Sequence, residues 1–182
     1  MCRWIAPILS FTADELWQAI PGEHSDSALL ESWYPNLVAL DEHEKMDMSF
    51  WQKMLDIRAV VSKELETLRA DKTIGSSLDA EVTLYVDAEL LAMLTTLKEE
   101  LRFVLITSEA TIHHIDEADS DSVETQLSSG ETIKIKTAAS TNEKCVRCWH
   151  HREDVGIDKE HPELCGRCVE NVSGDGEQRL FA

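Results

Sequence analysis

Apolar positions in the segment from Met48 to Ala70 recur at helical spacing. Trp51, Met54, Leu55, Arg58, Val61, Leu65 and Leu68 form one stripe with charges between them, and the spacing predicts a long amphipathic helix ending before Gly75. From Leu78 the period falls to two. Val82, Leu84 and Val86 alternate with Glu81, Thr83 and Tyr85, the pattern of a strand with one buried face. Glu89 to Leu101 returns to helical spacing. Phe103 to Ile106 reads as a short apolar strand, Thr111, His113 and Ile115 as another, and Ile133 and Ile135 between Lys134 and Lys136 as a last one. This order predicts a small α/β unit over 78–138.

Upstream, Trp4, Ile8, Phe11, Glu15 and Leu16 fall near helical spacing, with a break at Pro7. Thr12 and Glu15 have the spacing of a capping box, which places a fresh helix start at Thr12. Pro21-Gly22 closes this unit. Residues 23–45 form a polar, acidic connection anchored by Trp33-Tyr34-Pro35. The stretch 116–130 is acidic, Ser-rich and poor in large apolar residues, and is expected to be a mobile loop. Residues 137–142 are expected to link the strands to a final module over 143–182. The sequence contains no internal repeat.

That module carries Cys145-Val-Arg-Cys148 and Cys165-Gly-Arg-Cys168. Two C-x2-C turns at this separation predict one structural zinc, because each turn places two thiolates on the same ion and two turns complete a tetrahedron. A closed shell of four thiolates leaves no position for a catalytic water. His150, His151 and His161 lie between the pairs and are expected at the surface, since four thiolates already suffice. Backbone N–H groups of the two turns are expected to donate to the sulfurs. For Arg147 and Trp149, beside the first pair, two readings stand equal: packing over the zinc site, or a stacking and phosphate-contacting platform for nucleic acid. Lys72-Thr73-Ile74-Gly75 reads as an ordinary helix end.

The chain of 182 residues is 43% hydrophobic, enough for a packed core, and carries a formal charge of −18 from 35 acids and 17 bases. That balance argues against a free-standing nucleic-acid binder. The charge is uneven, however. No Lys or Arg occurs from Phe103 to Ile133, whereas the last module holds Lys144, Arg147, Arg152, Lys159, Arg167 and Arg179. Four of the five cysteines have metal spacing, which points to a reducing, cytoplasmic compartment. Cys2 is expected to be a small core residue. No transmembrane segment or signal peptide is evident, and no membrane partner is expected. P-loop, G-x-G-x-x-G, nucleophile-elbow and H-E-x-x-H patterns are all missing, so no catalytic residue is assigned.

Taken in order, these segments resemble the C-terminal end of bacterial-type isoleucyl-tRNA synthetases, class I aminoacyl-tRNA synthetases. Residues 3–17, from Arg3-Trp4-Ile5-Ala6-Pro7 to Asp14-Glu15-Leu16-Trp17, resemble late helices of the anticodon-binding bundle, and Phe50-Trp51 its continuation. Arg69-Ala70-Asp71-Lys72 and Ile74-Gly75-Ser76-Ser77-Leu78 resemble the entry to the C-terminal α/β region. Glu143-Lys144-Cys145-Val146-Arg147-Cys148-Trp149-His150, Leu164-Cys165-Gly166-Arg167-Cys168 and the closing Asn171-Val172-Ser173-Gly174-Asp175-Gly176-Glu177 resemble the terminal zinc finger.

The resemblance implies an α+β chain: helical residues 1–75, an α/β unit 78–138 with an acidic loop 116–130, and a zinc finger 143–182. It implies contact with the anticodon side of an isoleucine-accepting tRNA through Arg147 and Trp149. It also implies a fragment of a ligase whose other domains, catalytic and editing, lie elsewhere in the same polypeptide. ATP would be used there and not bound here, and the fragment alone would be inactive. HIGH and KMSKS-type signatures are absent; Lys45-Met46-Asp47-Met48-Ser49 echoes the second outside any Rossmann context. Two other readings share the cysteine spacing. One is a DNA-repair glycosylase, whose N-terminal Pro-Glu is replaced here by Met1-Cys2-Arg3. The other is a stand-alone zinc-ribbon adaptor that binds protein.

Overall fold

The structure, a computed structural model, describes residues 1–37, 39 and 45–181. Part of the acidic connection expected over 23–45 therefore lies outside the described residues. The chain divides into two compact units, 1–44 and 45–182.

The first unit contains α1 (Cys2–Ile5), α2 (Ser10–Gln18) and a single 3-10 turn at Ala28–Leu30. Helix α2 starts at Ser10, two residues before the expected capping box, and Leu9 supplies no side-chain cap. The buried residues are Ala6, Ala13, Trp17 and Ala28. The small side chains let the short elements approach closely around one indole. Trp17 is fixed by its Nε1–H, which donates to Ser25 O at 2.8 Å. Asp14 accepts from Ser27 Oγ at 2.6 Å and from the Ala28 N–H at 3.0 Å, which holds the 3-10 turn against α2. The expected stripe of Trp4, Ile8, Phe11 and Leu16 is instead exposed, and so are Trp33 and Tyr34. The expectation failed because two helices of 4 and 9 residues enclose only one side of their own surface.

In the second unit, α3 (Met48–Ala70) begins where Asp47 accepts the Phe50 N–H at 2.9 Å, an N-cap bond that satisfies a free helix donor. Its buried residues are Phe50, Met54, Ile57, Val61 and Leu65. The expected stripe is therefore rotated: Met54, Val61 and Leu65 are central, Trp51 and Leu68 lie at the margin, and Leu55 faces out.

Next come β1 (Ala80–Val86), α4 (Ala88–Thr95), α5 (Leu101–Leu105), β2 (Glu109–His114), β3 (Val123–Gln126) and β4 (Thr132–Ala139). The sheet order is β2-β1-β4-β3. Strands β1 and β2 run parallel, joined through α4 and α5, and the other pairs are antiparallel. Val82, Leu84, Val86, Ile133 and Ile135 share one core with α3, α4 and α5.

Two expectations are corrected here. Residues 103–105 end the helix α5 and do not form a strand; Leu101 and Leu105, four apart, point into the core while Arg102 and Phe103 turn elsewhere. The stretch expected to be a loop contains β3, whose Val123 and Thr125 pair with Ile135 and Ile133. No helix among the described residues is long and apolar enough to cross a membrane.

Candidate metal centre and its surroundings

The last helix, α6 (Gly166–Ser173), follows a compact irregular segment. The first cysteine turn is closed by two backbone bonds: Trp149 N–H to Cys145 O and Cys145 N–H to His150 O, both at 2.9 Å. The second is the start of α6, where the N–H groups of Cys168 and Val169 donate to Cys165 O at 2.9 and 3.0 Å. The turns are joined by Val146 N–H to Glu163 O at 3.2 Å.

These turns bring Cys145, Cys148, Cys165 and Cys168 together, with one sulfur from each lying within 4.8 Å of the others. Cys148 Sγ and Cys165 Sγ are 3.7 Å apart. A tetrahedron with Zn–S bonds of about 2.3 Å has edges of about 3.8 Å, so the spacing suits zinc. A disulfide would need about 2.05 Å, and all the cysteines are free. Cys145, Cys165 and Cys168 are buried, with the partly buried Val155 and Leu164 packed against them. Four soft donors converging in a dry centre fit one structural zinc and leave no position for a reacting ligand.

Burial pushes the metal-free Cys165 thiol up to about 12, and the neighbouring Cys148 adds to the effect. Cys148 also resists ionisation through burial, but the His150 side chain and backbone, then Arg167 and Cys145, bring it down to about 5. The two thiols therefore move in opposite directions as a coupled pair. Zinc removes the conflict by holding all four as thiolates.

The contacts to sulfur go beyond the expected backbone donors. Arg147 Nη1 donates to Cys168 Sγ at 3.5 Å, and Arg167 acts on Cys148. None of the three histidines joins the sulfur cluster. His150, however, is buried and not at the surface. Its Nδ1 lies 3.2 Å from Cys148 O and its ring meets Phe103 edge-on. His151 bridges Asn142 O and Asp79, and His161 meets Ser173 Oγ at 2.8 Å.

Trp149 projects from the first turn with 62% of its surface exposed, at a left-handed φ of 66°. Few residues other than glycine adopt that conformation. The two expected contact residues therefore share a turn but differ in setting: the Trp149 ring faces solvent, and Arg147 is exposed yet already engaged with sulfur.

The metal turns are fastened to one end of the sheet. Lys144 Nζ meets Asp79 at 3.0 Å, the His151 N–H donates to Ser108 Oγ at 2.6 Å, and Arg152 pairs with Glu109 and donates to Ser108 O. Ser140 and Asn142 donate to Glu81. Residues 79, 81, 108 and 109 carried no recognisable signal in the sequence, because each acts through a long-range pairing.

Comparison with known proteins agrees with this geometry. Residues 142–171 match a family described as a zinc finger found in FPG and IleRS, and residues 1–84 match the anticodon-binding domain of tRNA ligases. The whole chain is 56% identical to the isoleucine–tRNA ligase of Thioalkalivibrio sulfidiphilus over 182 residues.

Over its whole length the chain is similar to isoleucine–tRNA ligases.

The corresponding ligases of Alkalilimnicola ehrlichii and Methylococcus capsulatus are each 53% identical, over 182 and 181 residues. In all three cases the chain is covered completely and spans 19% of the relative's length. These end-to-end matches to isoleucine–tRNA ligases do not favour the glycosylase and adaptor readings.

Proposed function

We propose that this chain is the tRNA-recognition part of an isoleucine–tRNA ligase, with Cys145, Cys148, Cys165 and Cys168 holding zinc so that Trp149 and Arg147 meet the anticodon side of an isoleucine-accepting tRNA. In this reading residues 1–75 end the anticodon-binding helices, 78–138 form the α/β unit and 143–182 the zinc finger. The complete enzyme acts in the cytoplasm. Its catalytic domain, elsewhere in the polypeptide together with the editing domain, uses ATP to attach isoleucine, and this part positions the tRNA.

The observation that carries the reading is the exposed indole of Trp149 on a left-handed backbone. An apolar ring that served only packing would be covered, and a turn that needed only a positive φ would be served better by glycine. Stacking of a nucleobase on such a ring contributes about 1–3 kcal/mol. Arg147 keeps part of its guanidinium edge available for phosphate or base while Nη1 holds Cys168.

The test is tRNA affinity alongside zinc content. Trp149→Ala is expected to weaken binding by about tenfold with zinc retained. Trp149→Gly, which also relieves the backbone, is expected to bind equally weakly in a fold at least as stable. Unchanged affinity in both variants would remove Trp149 from the interface.

A further inference from the structure

Beside the metal centre, the Phe103 ring collects guanidinium groups. Arg102 Cζ lies 4.3 Å from its centroid, Arg179 Cζ 4.1 Å and Arg167 Cζ 5.1 Å. The neighbours have carboxylates: Arg167 and Arg179 share Glu177, and Arg152 holds Glu109 with Glu99 further off. Arg102 differs. It is only 7% exposed, yet its side chain forms no hydrogen bond or ion pair among the described residues, and its Nε is buried without a partner. Arg167 Nε is likewise buried and unpartnered.

A buried guanidinium whose N–H edge meets no acceptor is unfavourable unless something supplies one. Phe103 does not, because cation–π contact uses the flat face of the group and leaves the N–H edge unsatisfied. Burial disfavours the charge on Arg102, Arg152 and Arg167 act on it as like charges, and Glu109 and Glu99 offset part of this from a distance without accepting from its N–H edge. No acceptor meets it among the described residues, which points to an anion from outside the chain. A planar fork edge suits two oxygens of one tetrahedral oxyanion. The zinc turn lies alongside, since His150 of that turn packs its ring edge on Phe103 at 5.8 Å.

We propose that Arg102, with Arg167 beside it, is the seat for one backbone phosphate of the RNA whose base stacks on Trp149. The proposal rests on the tRNA-recognition reading above and adds where the sugar–phosphate chain is gripped.

Two measurements on the zinc-loaded full chain test it. The first needs no variant: inorganic phosphate is titrated while the arginine Nε–Hε resonances are followed. The Arg102 signal is expected to shift saturably, and a stationary signal overturns the proposal. The second measures tRNA affinity across salt concentrations for the native chain, Arg102→Met and Trp149→Ala. Arg102→Met is expected to weaken binding by about tenfold and to flatten the slope of log K against log salt by about 0.7. Trp149→Ala is expected to weaken binding without changing that slope. An Arg102→Met slope equal to that of the native chain, with Trp149→Ala still weakened, overturns the phosphate seat alone. Absence of tRNA binding by the native chain overturns the recognition reading and the seat together.

Discussion

The Asp154 carboxylate accepts the Gly166 N–H at 3.0 Å, and a Cβ on Gly166 would stand 2.8 Å from that same oxygen. The contact ties the segment between the cysteine pairs to the first residue of α6, immediately after Cys165. Gly166→Ala must push Asp154 away and lose the bond, or displace the Cys165 turn. The variant is expected to lose about 1–2 kcal/mol of stability and to release zinc faster to a chelator, as read with a colorimetric metal indicator.

Ile106 ends α5 at a φ of 59° and is 43% exposed. A left-handed conformation costs an L-residue about 1–2 kcal/mol, and the β-branch makes it worse. Ile106→Asn, which tolerates this backbone, is expected to raise the melting temperature. Ile106→Ala keeps the strain and loses the side chain, so it is expected to lower it. The order of the three melting temperatures is the measurement.

Acid stability should depend on Glu131. Its hydrogen bond to Lys53 at 2.5 Å, then Ser129, holds its carboxyl at about 2, below the ordinary glutamate value of 4.5. A group with a depressed folded pKa contributes stability above its unfolded pKa and loses it as pH falls toward the folded value. The contribution is therefore complete above about pH 4.5 and fades between there and about 2. Lys53→Met is expected to lower stability at neutral pH and to flatten the acid limb in urea melts run from pH 6 down to 3.

Zinc removal should unfold part of the second unit and spare the rest. Val155 and Leu164 are only partly buried, so each contributes less than the about 1.5–3 kcal/mol of full burial, against about 10–16 kcal/mol for a structural zinc. Metal therefore dominates the fold of 143–177, whereas the sheet keeps its own apolar core. After chelation, amide hydrogen exchange is expected to become fast over 143–177 and to stay slow in β1 and β4.

Legibility in the sequence followed the length and redundancy of each signal. Helix α3 was readable because 23 residues repeat one face. The metal cluster was readable because its geometry is local to two tetrapeptide turns. Phe103 to Ile106 misled, since four apolar residues fit strand or helix equally, and the side chains of Leu101 and Leu105 decide it only once the core is known. Strand β3 was hidden because it is an edge strand with Val123 as its single large apolar residue, held by backbone pairing to β4. The burial of His150 and Arg102 was equally invisible, because both depend on Phe103, a long-range neighbour of the metal turn.

The bonds from Lys144, His151 and Arg152 to Asp79, Ser108 and Glu109 give the indole a fixed bearing with respect to the strands. A ring on a tether would take up many headings; a ring on a braced bracket presents one. Weakening the brace, for example at Asp79, would leave metal and tryptophan untouched and yet misdirect the ring, so that fidelity of alignment would be lost before affinity for zinc.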